Sequence, residues 1–511
     1  MYAQQMASLI WRKIGKPVRL AFFASLCTGL LAYLYRLTNL FFTEGDALNN
    51  VWFNGNMVWV GRWSSAWLSG LSTDLTMPAV NGLLVIFAVA LIAAMLVELL
   101  EIRSSLMAIL AGGVLMCHPT VSATLGFLHN SDAYMMAAML SVLGFVVLER
   151  FRWGFVPAVA LIAFGTGTYQ ACASLVIGMM FVRGVQLLVL SEESAKNLWF
   201  RAVKWVLCIG LSLALYYLLA QLFSKWSGIA ISSYQSVSEA ASLETFRQIP
   251  ANVVKCFGDF AFQMEWEKYE GQQLLLSRLN AVVAAVTVVL VLVVFFLRQG
   301  RKLGRMAVLI ALLALAPFFL CSIQIFNPDH VYGLMTYSTV GLYLMAILMA
   351  DSLPEQSFAR TKKLRIPACV MNWTLVICLT VGAFQWAVNA NVGFFKAALD
   401  YEKMYAMCAK FMDMAESHED YMGGMPIYVI GDIAWDDMRQ TPQLNATKSY
   451  YAFMKSVLGA TMPYGIANVV EENARRITES EDFVIMSCFP AEDCVAVIED
   501  CLVIKLSEDM R

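Results

Sequence analysis

Two carboxylates lie close together where the first long apolar run of the chain ends. Residues 41–50 read FFTEGDALNN, so Glu44 and Asp46 flank a single glycine. A carboxylate can act as the general base that takes a proton from a hydroxyl, which contributes about 10²–10⁴-fold to a rate. Acidic residues also commonly follow a membrane-spanning helix. The stretch alone therefore favours a solvated helix end over a catalytic loop.

A cation follows in the same loop, within NMVWVGRWSSAWLSGL at 56–71. Apolar and aromatic residues recur there at helical spacing, which predicts a helix lying in the membrane interface with Arg62 near the headgroups. Arginine binds phosphate through charge-assisted hydrogen bonds. Arg62 and a nearby carboxylate would therefore suit transfer of a group from a lipid phosphate carrier. Aromatic and basic belts also anchor many membrane proteins without any catalytic role.

Further polar residues gather at the predicted outer ends of other helices. They are His118; His129, Asp132 and Tyr134; Tyr169 and Gln170; and Asn327, Asp329, His330 and Tyr332. Ionisable groups near bilayer depth are costly, so the set predicts one shared outer cavity, although any single residue could simply belong to a turn. No tight metal-ligand spacing such as HExxH occurs. We therefore expect no cofactor and leave a divalent metal open.

The composition is that of a polytopic α-helical membrane protein. Of the 511 residues, 59% are hydrophobic and 14% are charged, whereas a soluble domain carries about 25% charge. The net charge of −2 gives no general attraction to nucleic acid. Apolar stretches of spanning length predict about eleven transmembrane helices, at 18–38, 81–102, 104–123, 132–149, 153–170, 171–191, 204–223, 277–297, 304–323, 331–350 and 367–388.

The distribution of basic residues predicts the orientation of these helices. Cytoplasmic loops are enriched in Lys and Arg. Alternate loops hold Arg12, Lys13, Lys16 and Arg19; Arg103; Arg150 and Arg152; Lys196, Arg201 and Lys204; Arg298, Arg301, Lys302 and Arg305; and Arg360, Lys362, Lys363 and Arg365. On the opposite side the first loop has Arg62 alone. This predicts an inner N-terminus and an outer C-terminus, with loops 39–80 and 224–276 outside.

The composition changes after about residue 388, which predicts a transmembrane domain at 1–388 and an external α+β domain at 389–511. The predicted elements of that domain are a helix at 396–418 and strands at 425–433, 481–489 and 502–507. Cys488 and Cys494 flank a Pro-containing turn. A disulfide would be feasible in an oxidising compartment, and a reduced pair is equally compatible with the sequence.

Four short motifs of the membrane part resemble those of a known family. They are the acidic pair, GRW at 61–63, SDAY at 131–134 and TYQA at 168–171. In order and topology they are similar to the polytopic bacterial glucosyltransferases of the GT-C class, including the phage-type serotype-converting enzymes that add glucose to O-antigen. The resemblance is weaker in the tail. TEGD also departs from the adjacent acidic residues of the family by placing Gly45 between them.

The resemblance implies glycosyl transfer at the outer face of a bacterial inner membrane. The donor would be a polyprenyl-phosphate sugar, expected to be undecaprenyl-phosphate glucose, and the acceptor a cell-surface glycan. Direct displacement with an acidic general base would invert the anomeric centre. The residues that match are Asp46, favoured as the base, or Glu44, with Arg62, Trp63, Asp132, Tyr134, Tyr169 and Gln170 binding substrate. Topology adds His129, Asp329 and His330 to the substrate-binding set.

Other classes of function are compatible with a polytopic chain. A transporter or a flippase for lipid-linked sugars usually shows repeated halves and polar sites at the membrane midplane, whereas no repeat is visible here. A structural or sensory protein would not need its acidic loop. An O-acyltransferase would need a thioester donor supplied from inside. The polar residues at the outer helix ends favour the transferase.

Overall fold

The computed structural model describes residues 2–41, 55–72, 75–232, 243–262, 274–300, 302–326, 331–353, 362–431 and 471–507. The chain forms two compact units. The first comprises Met1–Thr38 and Asn54–Asn391, and the second comprises Asn39–Phe53 and Val392–Arg511.

The first unit consists of helices. In chain order they are α1 (Ala3–Lys13), α2 (Lys16–Ala32), α3 (Leu34–Thr38), α4 (Ser65–Ser69), α5 (Pro78–Leu99), α6 (Ser105–Cys117), α7 (Pro119–Gly126), α8 (Leu128–Arg150), α9 (Phe155–Thr168), α10 (Ala171–Leu190), α11 (Ala195–Ser227), α12 (Leu243–Cys256), α13 (Leu274–Gln299), α14 (Leu303–Ala314), α15 (Ala316–Leu320), α16 (Ile323–Phe326), α17 (Val340–Asp351) and the first part of α18 (Lys362–Glu416). Short 3₁₀ turns cover Val58–Val60, Gly333–Met335 and Tyr337–Thr339.

Many of these helices have the length and composition of membrane spans. Among the described residues, seven helices are long and apolar enough to cross a bilayer, or eight if the bent pair Gln4–Lys13 and Lys16–Ala32 is one span. Three shorter apolar helices accompany them. The predicted apolar stretches fall largely on described helices. The multi-pass helical membrane protein is therefore confirmed, while the number eleven and the orientation stay predictions.

A break between α6 and α7 is held by His118. Pro119 begins α7, and the His118 Nδ1 atom accepts the Thr120 N–H at 3.3 Å, which satisfies a free donor at the start of that helix. The other ring nitrogen, Nε2, bonds to Thr339 Oγ1 at 3.1 Å. At the far end of α7, the buried Arg36 donates from Nε to the Leu125 carbonyl at 3.0 Å. His118, one of the polar residues noted at the outer helix ends, thus has a structural role.

A buried carboxylate joins the C-terminal end of α8 to the C-terminal half of α10 and to the first part of α11. Glu149 accepts from Arg201 at 2.8 Å and from the Trp205 indole at 2.9 Å, and Arg183 lies 3.6 Å away. Asp351 at the end of α17 accepts the backbone N–H groups of Arg103 and Ser104, both at 2.8 Å. The buried Glu149 carboxylate is therefore neutralised by arginines. The Asp351 carboxylate compensates the positive end of the helix dipole at the start of α6.

The second unit contains a three-stranded sheet in the order β1-β3-β2, formed by β1 (Ile427–Ile430), β2 (Val495–Ile498) and β3 (Cys501–Lys505). β1 is parallel to β3, and β2 is antiparallel to β3. Glu499 and Asp500 both have positive φ, at 50° and 60°, as a tight hairpin turn requires. Phe411 of α18 packs in one core with Leu502 and Ile504 of β3.

Two of the three predicted strands of this unit are confirmed, and one is wrong. The segments 425–433 and 502–507 contain β1 and most of β3, and the predicted helix at 396–418 lies mostly within α18. The predicted strand at 481–489 instead begins with a helix, α20 (Glu481–Ile485), which follows α19 (Glu471–Thr478). Ser480 caps α20 by accepting the Phe483 N–H at 3.2 Å, and two acidic residues occupy its first turn. Cys488 and Cys494 are free thiols.

A buried lysine should contribute strongly to the stability of the second unit. Lys505 is 1% exposed, and its Nζ atom donates to the Phe483 carbonyl at 3.2 Å and to the Met486 carbonyl at 3.0 Å. Lys505→Met would leave both carbonyls without this donor, so the unit should lose about 1–3 kcal/mol. Limited proteolysis of the full chain along a temperature ramp would measure this loss.

The matched control is Arg476→Ala, which removes an exposed ion pair with Glu499. Such pairs contribute about 0–1 kcal/mol, so this variant should resist proteolysis almost as the parent does. Equal resistance of the two variants would show that the Lys505 contacts contribute little.

Candidate active site at the tyrosine pair

The segment that carries Arg62 is a compact loop. The predicted interfacial helix over 56–71 is wrong, because Gly61 adopts a φ of +75° and ends the turn Val58–Val60. The Arg62 N–H then bonds back to the Met57 carbonyl at 3.1 Å, and α4 starts only at Ser65. The left-handed glycine thus turns the Arg62 side chain out of the helical pattern and into the protein.

Arg62 is 9% exposed and contacts three residues that the sequence had placed in the same cavity. Its Nε atom donates to Gln170 Oε1 at 3.0 Å, and Nη1 donates to the Tyr134 hydroxyl at 2.6 Å. The rings of Tyr134 and Tyr169 are stacked, with centroids 4.1 Å apart and planes 10° apart. The guanidinium carbon lies 5.4 Å and 5.2 Å from these two centroids. We call Arg62, Tyr134, Tyr169 and Gln170 the arginine–tyrosine cluster.

The charge of Arg62 has no carboxylate partner within the part of the chain that the structure describes. Its hydrogen bonds there go to neutral groups, and Nη2 makes none with a described residue. His129 lies within its electrostatic reach. A buried guanidinium among neutral groups is under-compensated, so the site favours an anionic ligand.

The loop is fastened to the end of α9 and to the start of α10. The Ser64 N–H donates to the Gly167 carbonyl at 3.2 Å, and its hydroxyl donates to the Phe164 carbonyl at 2.9 Å. Gln170 Nε2 donates to the Val60 carbonyl at 2.9 Å. Backbone and side-chain bonds therefore fix the position of Arg62 on both sides.

Trp63 anchors this loop by packing. Its ring stacks on Phe223 of α11 with centroids 5.4 Å apart and meets Phe164 edge-on at 5.9 Å. It also lies directly against Gly167, where a Cβ would overlap the indole. Trp63 is thus buried beside the arginine–tyrosine cluster, and its contacts hold the loop on α9 and α11.

The N-terminal part of α8 carries His129, Asn130 and Asp132, all buried. Asp132 is 0% exposed, and neither carboxylate oxygen makes a hydrogen bond of normal geometry to a described residue. The side chains of Ser72 and Asn81 lie beside it. An ionised carboxylate in such a place costs free energy unless a proton, a cation or a ligand hydroxyl compensates it.

A small cavity adjoins the stacked rings. Tyr134 and Tyr169 form one side, and Thr120, Thr124 and Tyr337 contribute polar groups to its lining. The buried Tyr169 hydroxyl has no hydrogen-bond partner among the described residues. The cavity therefore presents the two tyrosines to a ligand, and the Arg62 cation lies against the same two rings without lining the cavity.

The structure thus describes only some of the predicted site residues. Arg62 contacts Tyr134, Tyr169 and Gln170, the two tyrosine rings stack, and His129 lies within electrostatic reach of the arginine. Glu44, Asp46, Asp329 and His330 lie outside the described residues. The described residues contain no group of three or more His, Cys, Asp or Glu side chains that could hold a metal ion; the metal question stays untested.

The sequence did not reveal several residues that position the cluster. Tyr216 of α11 accepts from Gln170 Nε2 at 3.4 Å, and Ser64 joins the loop to α9. Neither residue lies in a recognisable motif, because each acts through a partner that is distant in the chain. Asn81, which also lies in no recognisable motif, accepts the Met77 N–H at 2.9 Å and donates to the Ser72 hydroxyl at 3.3 Å.

Comparison with protein families matches the glucosyl transferase GtrII family over residues 34–349, which is more than half of the chain. The chain belongs to this family. Its activity class is therefore glycosyl transfer, and the suspected family of glucosyltransferases is confirmed. The matched range includes the whole arginine–tyrosine cluster, and it favours the transferase over the transporter alternative. Neither the comparison with curated proteins nor that with solved structures gave a match.

Asp132 should show opposite effects on stability and on activity. Asp132→Asn removes a buried charge that has no cationic ion-pair partner among the described residues, at constant volume, so the transferase should be stabilised, by about 1–3 kcal/mol. Transfer should fall about 10- to 100-fold if the carboxylate binds a substrate hydroxyl. Thermal unfolding and a transfer assay on the same purified sample would measure both.

Asp351→Asn is the control, because its carboxylate accepts two backbone N–H groups. It should lower stability and leave the turnover of the remaining folded protein unchanged. Asp132 would be a purely structural residue if its amide variant were less stable and fully active.

Proposed function

We propose that this transferase moves glucose from a polyprenyl-phosphate donor to a cell-surface glycan at the outer face of the bacterial cytoplasmic membrane. The observation that supports this proposal most directly is that the buried Arg62 cation has only neutral hydrogen-bond partners among the described residues. The family supports the sugar, and the segregation of basic residues supports the orientation.

Arg62 suits the phosphate of the donor. A phosphodiester brings one negative charge and oxygen acceptors, and a guanidinium binds such oxygens through charge-assisted bonds. As the bond between the sugar C1 and the phosphate oxygen breaks, negative charge grows on the departing phosphate. A cation fixed in advance stabilises that change more than it stabilises the bound donor, which lowers the barrier.

The acceptor needs a base on the other face of the sugar. In our mechanism an acceptor hydroxyl attacks C1, its proton passes to the carboxylate of Asp46, and the polyprenyl phosphate leaves with the electrons of the C1–O bond. The configuration at C1 is inverted. Glu44 is the other candidate base, and both residues belong to the first outer loop that also carries Arg62.

The remaining polar residues are assigned to the sugars. His129 and Asp132 lie near the start of α8, within about one and a half turns of Tyr134 along the helix. We assign them to donor hydroxyls, with Trp63 and Gln170 positioning the loop and the guanidinium. Asp329 and His330 are assigned to the acceptor side on topology alone.

Substitution of Arg62 tests the phosphate assignment. Purified full-length protein would be assayed with a set of polyprenyl-phosphate sugars and a glycan acceptor. Arg62→Ala should raise the KM for the donor or lower kcat/KM for it by about 10- to 100-fold, which is the cost of losing a charge-assisted bond. The KM for the acceptor should stay within about twofold.

Arg150→Ala serves as the matched control, since Arg150 forms an exposed ion pair with Glu98, and its kinetics should equal those of the parent. An effect of Arg62→Ala on the acceptor alone would overturn the phosphate assignment. Absence of transfer from every polyprenyl-phosphate sugar by the parent protein would overturn the proposed donor class.

Substitution of the acidic pair tests the base. Asp46→Asn should lower kcat by about 10²–10⁴-fold with little change in donor KM, because the base acts in the chemical step. Glu44→Gln is the paired variant, and the smaller of the two losses identifies the supporting residue. Near-normal turnover of Asp46→Asn would exclude Asp46 as the base.

A further inference from the structure

A small hydrophobic cluster in the first unit contains two cysteines. Cys256 is the last residue of α12, and Cys321 directly follows α15. Both are buried, and they share the cluster with Ile249 and Val253, against which Phe257, Phe260, Phe318 and Val331 pack. The cluster joins α12, within the long loop at 224–276, to the segment that contains α15 and α16.

The two thiols lie next to each other. Both belong to one buried cluster, Cys256 is a side-chain hydrogen-bond partner of Cys321, and both are free thiols in this structure. The Cys321 N–H donates to the Pro317 carbonyl at 2.8 Å. Beyond Cys256, the Tyr343 hydroxyl donates to the Ala261 carbonyl at 3.2 Å. Cys208 of α11 is a useful contrast, because its polar neighbours are Ser212 and Lys204.

Whether two adjacent thiols are oxidised to a disulfide depends on the cellular compartment that they face. The proposed orientation places the loop at 224–276 and the end of α15 on the outer side of the membrane. Thiols are oxidised to disulfides outside the cytoplasm and are kept reduced inside it. A neighbouring pair on the outer side would therefore meet oxidising catalysts while the chain is being assembled.

We propose that Cys256 and Cys321 form a disulfide that ties α12 to the segment of α15 and α16; this rests on the orientation in the proposed function. Two S–H bonds are lost and one S–S bond forms. The two electrons and two protons pass by thiol–disulfide exchange to an external disulfide oxidant, which becomes a dithiol. The bond fixes the second outer loop to the helices beside it.

Thiol mapping of the full chain tests this without an activity assay. Membranes would be denatured in N-ethylmaleimide without reductant, and the purified protein digested for mass spectrometry. We expect a linked peptide pair containing Cys256 and Cys321, which dithiothreitol separates. The number of labelled thiols should rise by one in Cys256→Ser, because Cys321 is released. It should fall by one in the control Cys208→Ser.

Alkylation of both Cys256 and Cys321 in the parent protein, with no linked peptide even after incubation of the folded protein with oxidised glutathione, would overturn the disulfide. That result is separable from a failure of the proposed function. An active transferase with both thiols alkylated would contradict only the disulfide. A disulfide-bonded protein without transfer activity would contradict only the donor assignment.

Discussion

The buried charge of Arg62 is the interaction on which the geometry of the arginine–tyrosine cluster depends. Two aromatic faces, one hydroxyl and one amide oxygen compensate it. A cation–π contact contributes about 0.5–2 kcal/mol and a hydrogen bond to a charged group about 1.5–3 kcal/mol. Removing an ion from water costs several kcal/mol. These contacts offset much of that cost, and an arriving anion would supply the rest.

The network around Glu149 shows how the same fold surrounds a buried charge that has partners of opposite sign. Glu149 is buried like Arg62, yet it accepts from Arg201 and the Trp205 indole and has Arg183 at 3.6 Å. Charges of opposite sign thus pair at the place where these helices are joined. Arg62 and Asp132 lack such partners among the described residues, and this contrast is the physical reason to place them in a site.

Much of the helical part and part of the cluster were predictable from the sequence. The apolar stretches predicted the helices, because lipid demands long uninterrupted segments, and the short motifs predicted that Arg62, Tyr134, Tyr169 and Gln170 belong together. Local rules failed where one residue overrode a pattern. Gly61 broke the helical spacing of 56–71, and the Ser480 cap turned the strand-like segment at 481–489 into a helix start. The hairpin partner β2 was missed altogether.

Long-range positioning was beyond the sequence for another reason. Ser64 and Tyr216 act through partners that lie far away in the chain, and no spacing rule relates such residues. The histidine at 118 illustrates the converse. Its predicted position at an outer helix end suggested a ligand, but both of its ring nitrogens are used within the fold.

Ser64 has a consequence for how a substrate can arrive. The Gly167 carbonyl belongs to the last turn of α9, where no later turn of the helix supplies a donor, and the Ser64 N–H fills that role. The loop that carries Arg62 is thus also the cap of α9. Swinging it outwards would strip the helix of its cap and pull Trp63 from its stack. These contacts hold the loop in place as a fixed wall rather than a lid, so a ligand would have to reach a stationary guanidinium.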